Sequence, residues 1–212
     1  MIELALTAFA NFVITIDPIG VVPFYVALTA GSSREARRAV ALKSVAIAAI
    51  ILLVFTIIGQ PLLHYLGISL PAFRIAGGVL LLILAVEMVV AKEGGIRAPT
   101  PSEKEDVAQR RPDVAVFPLA IPLIAGPGAI ASTILLQAQS AGEPLAQLVT
   151  AGVMIGVLAL VAICFLTADI IMAVLGLTGV HVMSRVLGIV LAALAVNNIV
   201  EGLRLSFPNL GG

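Results

Sequence analysis

The chain has 212 residues, 60% of them apolar and only 11% charged, with a net charge of zero. Ordinary soluble domains carry about 25% charged residues, so this chain lacks the polar surface of a water-facing fold and reads as an integral membrane protein. Its single cysteine, Cys164, excludes a disulfide framework, and no basic patch with interleaved aromatics points to nucleic acid.

A spanning helix needs about 20 mostly apolar residues. Six stretches qualify: 3–30, 42–64, 69–91, 114–140, 145–172 and 182–204. The first has neither the positive region nor the small-residue cleavage site of a signal peptide, so it is read as a retained span. It is interrupted by Asp17-Pro18-Ile19-Gly20-Val21-Val22-Pro23. Asp at the cap and Pro at the first helical position make a good helix start, which predicts a half-helix running from Pro18 toward Leu28. The second span is free of charge from Ser44 to Leu63, while the third carries Arg74 near its start and Glu87 near its end.

Residues 92–113, with Pro99, Pro101 and Pro112 among mixed charges, read as a linker rather than a domain. The fourth span lies in a charge-free run of 29 residues from Val114 to Gly142. As straight helix that run would extend about 43 Å, against a hydrocarbon core of about 30 Å. Pro118, Pro122 and Pro127 also forbid a regular hydrogen-bond ladder. The segment must therefore kink, unwind or re-enter, and Gly126-Pro127-Gly128 is placed to restart a half-helix through Ser132 and Thr133. In the fifth span, Gly152-x3-Gly156 suggests a close helix contact. The sixth carries Arg185, Asn197, Asn198 and Glu201.

The linker divides a single membrane domain, 1–212, into three-helix units at 1–91 and 114–212. Pro-x4-Pro recurs as Pro18/Pro23 and Pro122/Pro127 at an offset of 104, and Arg74-x2-Gly77 matches Arg185-x2-Gly188 at an offset of 111. Leu84-Ala85-Val86 likewise recurs as Leu194-Ala195-Val196. Three spans are an odd number, so duplicated halves must have opposite topology, the inverted-repeat plan of many secondary transporters. Arg34, Arg37, Arg38 and Lys43 cluster around the first loop; Lys92, Arg97, Lys104, Arg110 and Arg111 lie in the third. The positive-inside rule then places loops 31–39 and 92–113 in the cytoplasm and both termini outside. The expected fold is all-α: six transmembrane helices in two inverted three-helix repeats, with helices 1 and 4 broken near the midplane.

Lipid cannot satisfy freed backbone groups, so such breaks survive only where protein or a wet cavity covers them. Paired breaks in corresponding halves mark a transporter's binding site. The expected substrate contacts are Asp17, Pro18, Ile19, Gly20 and Val21 in the first break and Gly126, Pro127, Gly128 and Ala129 in the second. Two opposed half-helix N-termini meeting at mid-depth would favour an anionic group. An acid inside a span is a functional candidate, so Asp17 is assigned to a substrate ammonium, a coupling cation or a proton, and Glu87 is a second coupling candidate. Asn11, Thr15, Asn197 and Asn198 are further polar candidates, although interhelical hydrogen bonding also accounts for them. Arg74 and Arg185 read as snorkelling to an interface. His64 and His181 lack metal-ligand spacing, and neither a zinc-hydrolase helix nor a Gly-x-Ser-x-Gly elbow is present, so no cofactor, metal or enzymatic activity is expected.

Asp17-Pro18-Ile19-Gly20 with Pro23-Phe24, Ile121-Pro122 through Gly126-Pro127-Gly128-Ala129, Asn197-Asn198 and the charged segment 92–113 together make the chain resemble the MarC family, a six-span neutral amino acid transporter family. The resemblance covers nearly the whole chain, although the family often carries Asn where this chain has Asp17. It implies a bacterial inner-membrane protein of six helices in two inverted halves that transports small neutral amino acids such as glycine or alanine. Its partners would be that substrate, a proton or sodium ion and membrane lipid, in a monomer or an oligomer. A more distant similarity to amino acid exporters of the LysE type leaves direction open. Export of another small metabolite and a non-transporting signalling subunit stand as alternatives, as do re-entrant hairpins in place of broken crossings.

Overall fold

The structure, a computed structural model, describes residues 1–90 and 113–207. Every regular element within them is a helix: α1 (Ile2–Ile16), α2 (Val22–Leu28), α3 (Arg34–Tyr65), α4 (Leu70–Val90), α5 (Ala115–Ile124), α6 (Pro127–Gln139), α7 (Pro144–Leu166) and α8 (Ala168–Ser206). Four of them, α3, α4, α7 and α8, are long and apolar enough to cross a membrane, and α5 with α6, bent by 54°, is a broken fifth span or a re-entrant loop. The 15 residues of α1 rise only about 22 Å, short of a core of about 30 Å, so a first crossing needs α2 as well. This architecture is compatible with the six-span plan.

Local chemistry sets the boundaries. Ser33 caps α3 by accepting the Ala36 N–H at 3.2 Å, and Ser69 does the same for Ala72 at 3.3 Å. Pro144 occupies the first turn of α7, where its missing donor costs nothing. In α5, Phe117 and Ile121 leave helical geometry, with φ/ψ of −132/126 and −128/126. Each precedes a proline, whose ring drives the residue before it into extended backbone. The fifth span ends at Leu166 rather than 172, and Gly176, at φ 63 and ψ 179, interrupts α8. Residues 168–175 are thus a short separate helix, and the sixth span starts at 177 rather than 182.

Several of the contacts come in corresponding pairs, although those of α1 with α6 and α8 have no α5 counterpart of similar extent. α1 lies on α7 as α5 lies on α3; α2 touches α7 and α8 as α6 touches α3 and α4; α4 and α8 form the largest contact. Small residues bring α4 and α8 together in antiparallel register. A Cβ on Gly78 would stand 2.8 Å from the Ala195 carbonyl oxygen, one on Gly188 3.2 Å from that of Ala85, and one on Gly202 2.9 Å from that of Pro71. Gly78 is therefore the partner of Gly188, and Ala85 of Ala195. This pairing agrees with the Leu-Ala-Val repeat and stands one residue out of register with the Arg74-x2-Gly77 match.

The starts of α3, α5 and α8 share a face: Lys43 pairs with Asp113, and Arg37 with Asp169. Apart from Asp113, the 92–113 linker lies outside the described residues. The hydrogen bond from Lys43 holds the Asp113 carboxyl below the usual carboxylate range. The pair's contribution is accordingly present at neutral pH and is lost as pH falls through that lowered value.

Gly152 and Gly156 do not make the helix contact their spacing suggested; a Cβ on either would meet nothing within 4 Å. Alanine at each should leave the fold unchanged or stabilise it by up to ~1 kcal/mol through helix propensity. Thermal unfolding of Gly152→Ala and Gly156→Ala in detergent checks this, and a marked loss of stability would reveal a second copy seated on that stripe.

Candidate functional site

Pro18 disfavours right-handed helix for the residue before it, and α1 stops there. Asp17 takes the left-handed conformation at φ 53 and ψ 68, its N–H donating to the Val13 carbonyl. It is thus the C-terminal cap of α1, not the N-cap of a half-helix beginning at Pro18. Residues 18–21 form a turn, and α2 starts four residues late, at Val22, with Pro23 in its first turn. The Asp17 side chain is 2% exposed. Its Oδ1 accepts the Gly20 N–H at 3.0 Å, and its Oδ2 accepts the Ser184 hydroxyl of α8 at 2.9 Å. Gly20 admits this arrangement by lacking a side chain: its Cβ would stand 2.0 Å from Oδ2 and 2.6 Å from the Ser184 oxygen.

The second break follows the sequence expectation. Gly126 is the N-cap of α6 and Pro127 its first residue. Gly126 passes so close beneath α5 that a Cβ would lie 2.4 Å from the Pro122 carbonyl oxygen. A cavity of about 10 Å³, lined by Thr15, Leu80, Leu84 and residues 126–129, lies at this start; that is room for about one water. Beside it Ser132 donates to Asn11 Oδ1 at 3.3 Å, and Thr15 donates to the Asn11 carbonyl at 2.8 Å.

What faces the start of α6 across the cavity is the end of α1, not the start of α2. This replaces the picture of two opposed N-termini, and α2, at seven residues, is too short to contribute an anion site. The new arrangement is polar in a different sense. The amides of Gly128 and Ala129 carry the positive end of one helix dipole, while the last carbonyls of α1 carry the negative end of another. Of α1, Thr15 in its last turn lines the cavity, with Asp17 two residues beyond it.

Residues 2–207 match the model of the MarC family, integral membrane proteins. The chain belongs to the MarC family. It is 34% identical over 197 residues to a UPF0056 membrane protein of Methanocaldococcus jannaschii, covering 93% of this chain and 94% of the relative. Identity is 35% both to the UPF0056 membrane protein YvbG of Bacillus subtilis, covering 92% and 91%, and to YhcE of Escherichia coli, covering 92% and 89%. No solved structure matches. Family membership and the apolar helices together make this a multi-pass integral membrane protein.

Within this MarC fold the remaining expected residues are more scattered. Pro18 and Val21 are buried beside Asp17, with Ile19 and Gly20 half-buried. Glu87 is half-buried on α4, three residues beyond the cavity-lining Leu84. Asn197 is exposed and Asn198 half-buried on α8, and neither lines the cavity at the second break. Arg74 does not simply snorkel: its side chain is only 13% exposed and lies 3.9 Å from Glu201. Sequence reasoning missed Ser184, whose signal was faint, a single hydroxyl among Val182, Met183, Arg185 and Val186.

Proposed function

We propose that this chain is a secondary transporter of small neutral amino acids, glycine- or alanine-like, across the bacterial cytoplasmic membrane. The supporting observation is the facing of the α6 start and the α1 end across a shared cavity. A zwitterion complements that pair: its carboxylate suits the free amides at Gly128 and Ala129, and its ammonium suits the α1 carbonyls and Asp17. The cavity holds about one water, so the site is closed around its centre and must widen to load. Rocking of one three-helix half against the other would open it alternately to each side. The sequence has no nucleotide-binding motif, so a proton or sodium gradient, or the substrate's own, would supply the energy. Asp17 is the first coupling candidate and Glu87 the second. Loops 31–39 and 92–113 would face the cytoplasm with both termini outside, and no enzymatic step is involved.

Uptake of labelled glycine and alanine into proteoliposomes tests this reading, with and without imposed proton or sodium gradients and with counterflow. Saturable counterflow is the expected result. Silence across a panel of neutral amino acids, with folded protein confirmed, would remove the substrate assignment.

A further inference from the structure

The two faces of the bundle carry corresponding elements in opposite conditions. Where α3 begins and α7 ends, the bundle is latched. Tyr25 of α2 donates its hydroxyl to the Arg37 carbonyl of α3 at 2.9 Å and stacks on Phe165 of α7, with ring centroids 4.4 Å apart and planes 8° from parallel. The Arg37 guanidinium lies 5.7 Å from the Tyr25 ring centroid and makes a two-pronged pair with Asp169, at 2.8 and 3.1 Å. Tyr25 and Phe165 are 2% and 1% exposed, so this end is packed shut.

On the opposite face α6 stands where α2 does, the start of α7 where α3's start does, and the end of α3 where α7's end does. The short tie is reproduced: Gln137 donates to the Gln147 carbonyl at 3.2 Å, spanning 10 residues as the Tyr25–Arg37 bond spans 12. The closure is not reproduced. Among the described residues no ion pair or ring stack joins the end of α3 to the start of α7. Between them lies a cleft of about 580 Å³ lined by residues that include Thr56, Gln60, Pro61, Gln137, Gln147 and Leu148. That volume is in the range of small-molecule sites, about 300–1,000 Å³. Its lining bears no charged side chain, and Gln60 Nε2 is buried without a hydrogen-bond partner. Next to Gln60, Gly59 receives Ile134 of α6 so closely that a Cβ would stand 2.7 Å from its Cγ1. This contact lies on α6 between the cleft residue Gln137 and the cavity at Gly128.

We propose that the α3–α6–α7 cleft is the access site for a small uncharged or zwitterionic hydrogen-bonding solute on the face opposite the Arg37–Asp169 pair. This structure is then the state open on that face and latched on the other. The inference deepens the carrier reading above and rests on it. Amides and a hydroxyl can both donate to and accept from such a solute, whereas nothing in the lining would offset the desolvation of an ion with net charge. The unpartnered Gln60 amide supplies a donor that a carboxylate or carbonyl would satisfy.

The test places cysteine at Leu148 or Ala151, which line the cleft without offering it a hydrogen bond, in a Cys164→Ala background and exposes intact cells to a membrane-impermeant maleimide. Labelling from outside, slowed several-fold by glycine or alanine, is expected. Arg37→Ala, by loosening the latch, should lower that labelling several-fold, and the charge swap Arg37→Asp with Asp169→Arg should restore it. Reaction only from the cytoplasmic side would overturn the sidedness, and reaction from neither side would mean a lipid-filled crevice and overturn the site. In proteoliposomes, the bulky adduct at either position should block glycine counterflow. Normal counterflow through the adduct would defeat the access site while leaving the carrier reading intact. Should the Cys164→Ala parent, with the cleft lining intact, show no counterflow with any neutral amino acid, the carrier reading falls and this inference with it.

Discussion

Asp17→Asn should fold normally, whereas Asp17→Ala should lose several kcal/mol of stability. The reason lies in what Asp17 does at the end of α1. It holds a left-handed conformation at φ 53, which costs an ordinary L-residue about 1–2 kcal/mol and Asn or Asp less, because their side chains bond locally. It also satisfies the half-buried Gly20 N–H and Ser184 hydroxyl, and a donor stranded away from water costs about 1–3 kcal/mol. Alanine forfeits both contributions; since Ser184 can turn its hydroxyl elsewhere, the strain and the stranded Gly20 N–H together cost roughly 2–5 kcal/mol. Asparagine keeps the backbone preference and an acceptor for Gly20, while Ser184 can turn its hydroxyl to accept from the new amide. Removal of the charge also relieves its desolvation. Glycine at 17 should fall between, since it relieves the strain and still strands the donors. Thermal unfolding of the three variants in one detergent orders them, and an Ala variant as stable as the Asn variant would rule out the capping role.

The same series separates structure from coupling. Asp17→Asn preserves the cap, so any change it makes in gradient-driven uptake reports on the charge. If counterflow persists and gradient-driven accumulation is lost, Asp17 carries the coupling. Unchanged uptake and unchanged pH dependence would assign the carboxylate to capping alone. Asparagine suits the capping role directly, because it also tolerates the left-handed conformation.

Asp17 also marks how far sequence alone reaches. That the first span breaks at 17–23 follows from Pro18, Gly20 and Pro23, and the structure breaks there. Which helix Asp17 caps does not follow, because Asp-Pro is a good start signal and nothing local opposes it. The decision comes from Ser184, 167 residues away, and from the turn that brings the Gly20 N–H under the carboxylate. The second break is more legible, since Gly126-Pro127 names its own cap and first residue. Runs without charge mark α3 and α7, whereas Gly176 is hidden among Leu175, Leu177 and Gly179, where either glycine could turn. Latch and cleft are invisible for another reason: Arg37 and Asp169 are 132 residues apart at ordinary span ends. Gln60, Gln137 and Gln147 do carry a signal, three amides in otherwise apolar spans, where polar side chains need partners.

Gly126→Ala should be more damaging than Gly20→Ala, and the two should fail by different routes. At Gly126 the new methyl meets a main-chain oxygen, that of Pro122, at 2.4 Å. That oxygen cannot swing aside without turning the peptide plane that leads into Leu123, Ile124 and Ala125, which are at most 1% exposed. Relief requires moving the start of α6, which would also deform the cavity it shares with Thr15. The expected cost is at the upper end of overpacking, about 3 kcal/mol or more. At Gly20 the obstacles are the side chains of Asp17 and Ser184, which can move at the expense of their hydrogen bonds. Truncating Asp17 should therefore make room. In an Asp17→Gly background, Gly20→Ala should cost at least ~1 kcal/mol less than it does alone, a coupling of the size contacting residues show. Thr15→Ala paired with Gly126→Ala should instead be additive within ~0.5 kcal/mol, since no side chain there stands in the way. Four unfolding curves per cycle decide it. If Gly20→Ala is additive with Asp17→Gly, the carboxylate does not rest against Gly20, and some other group closes the first break around that glycine.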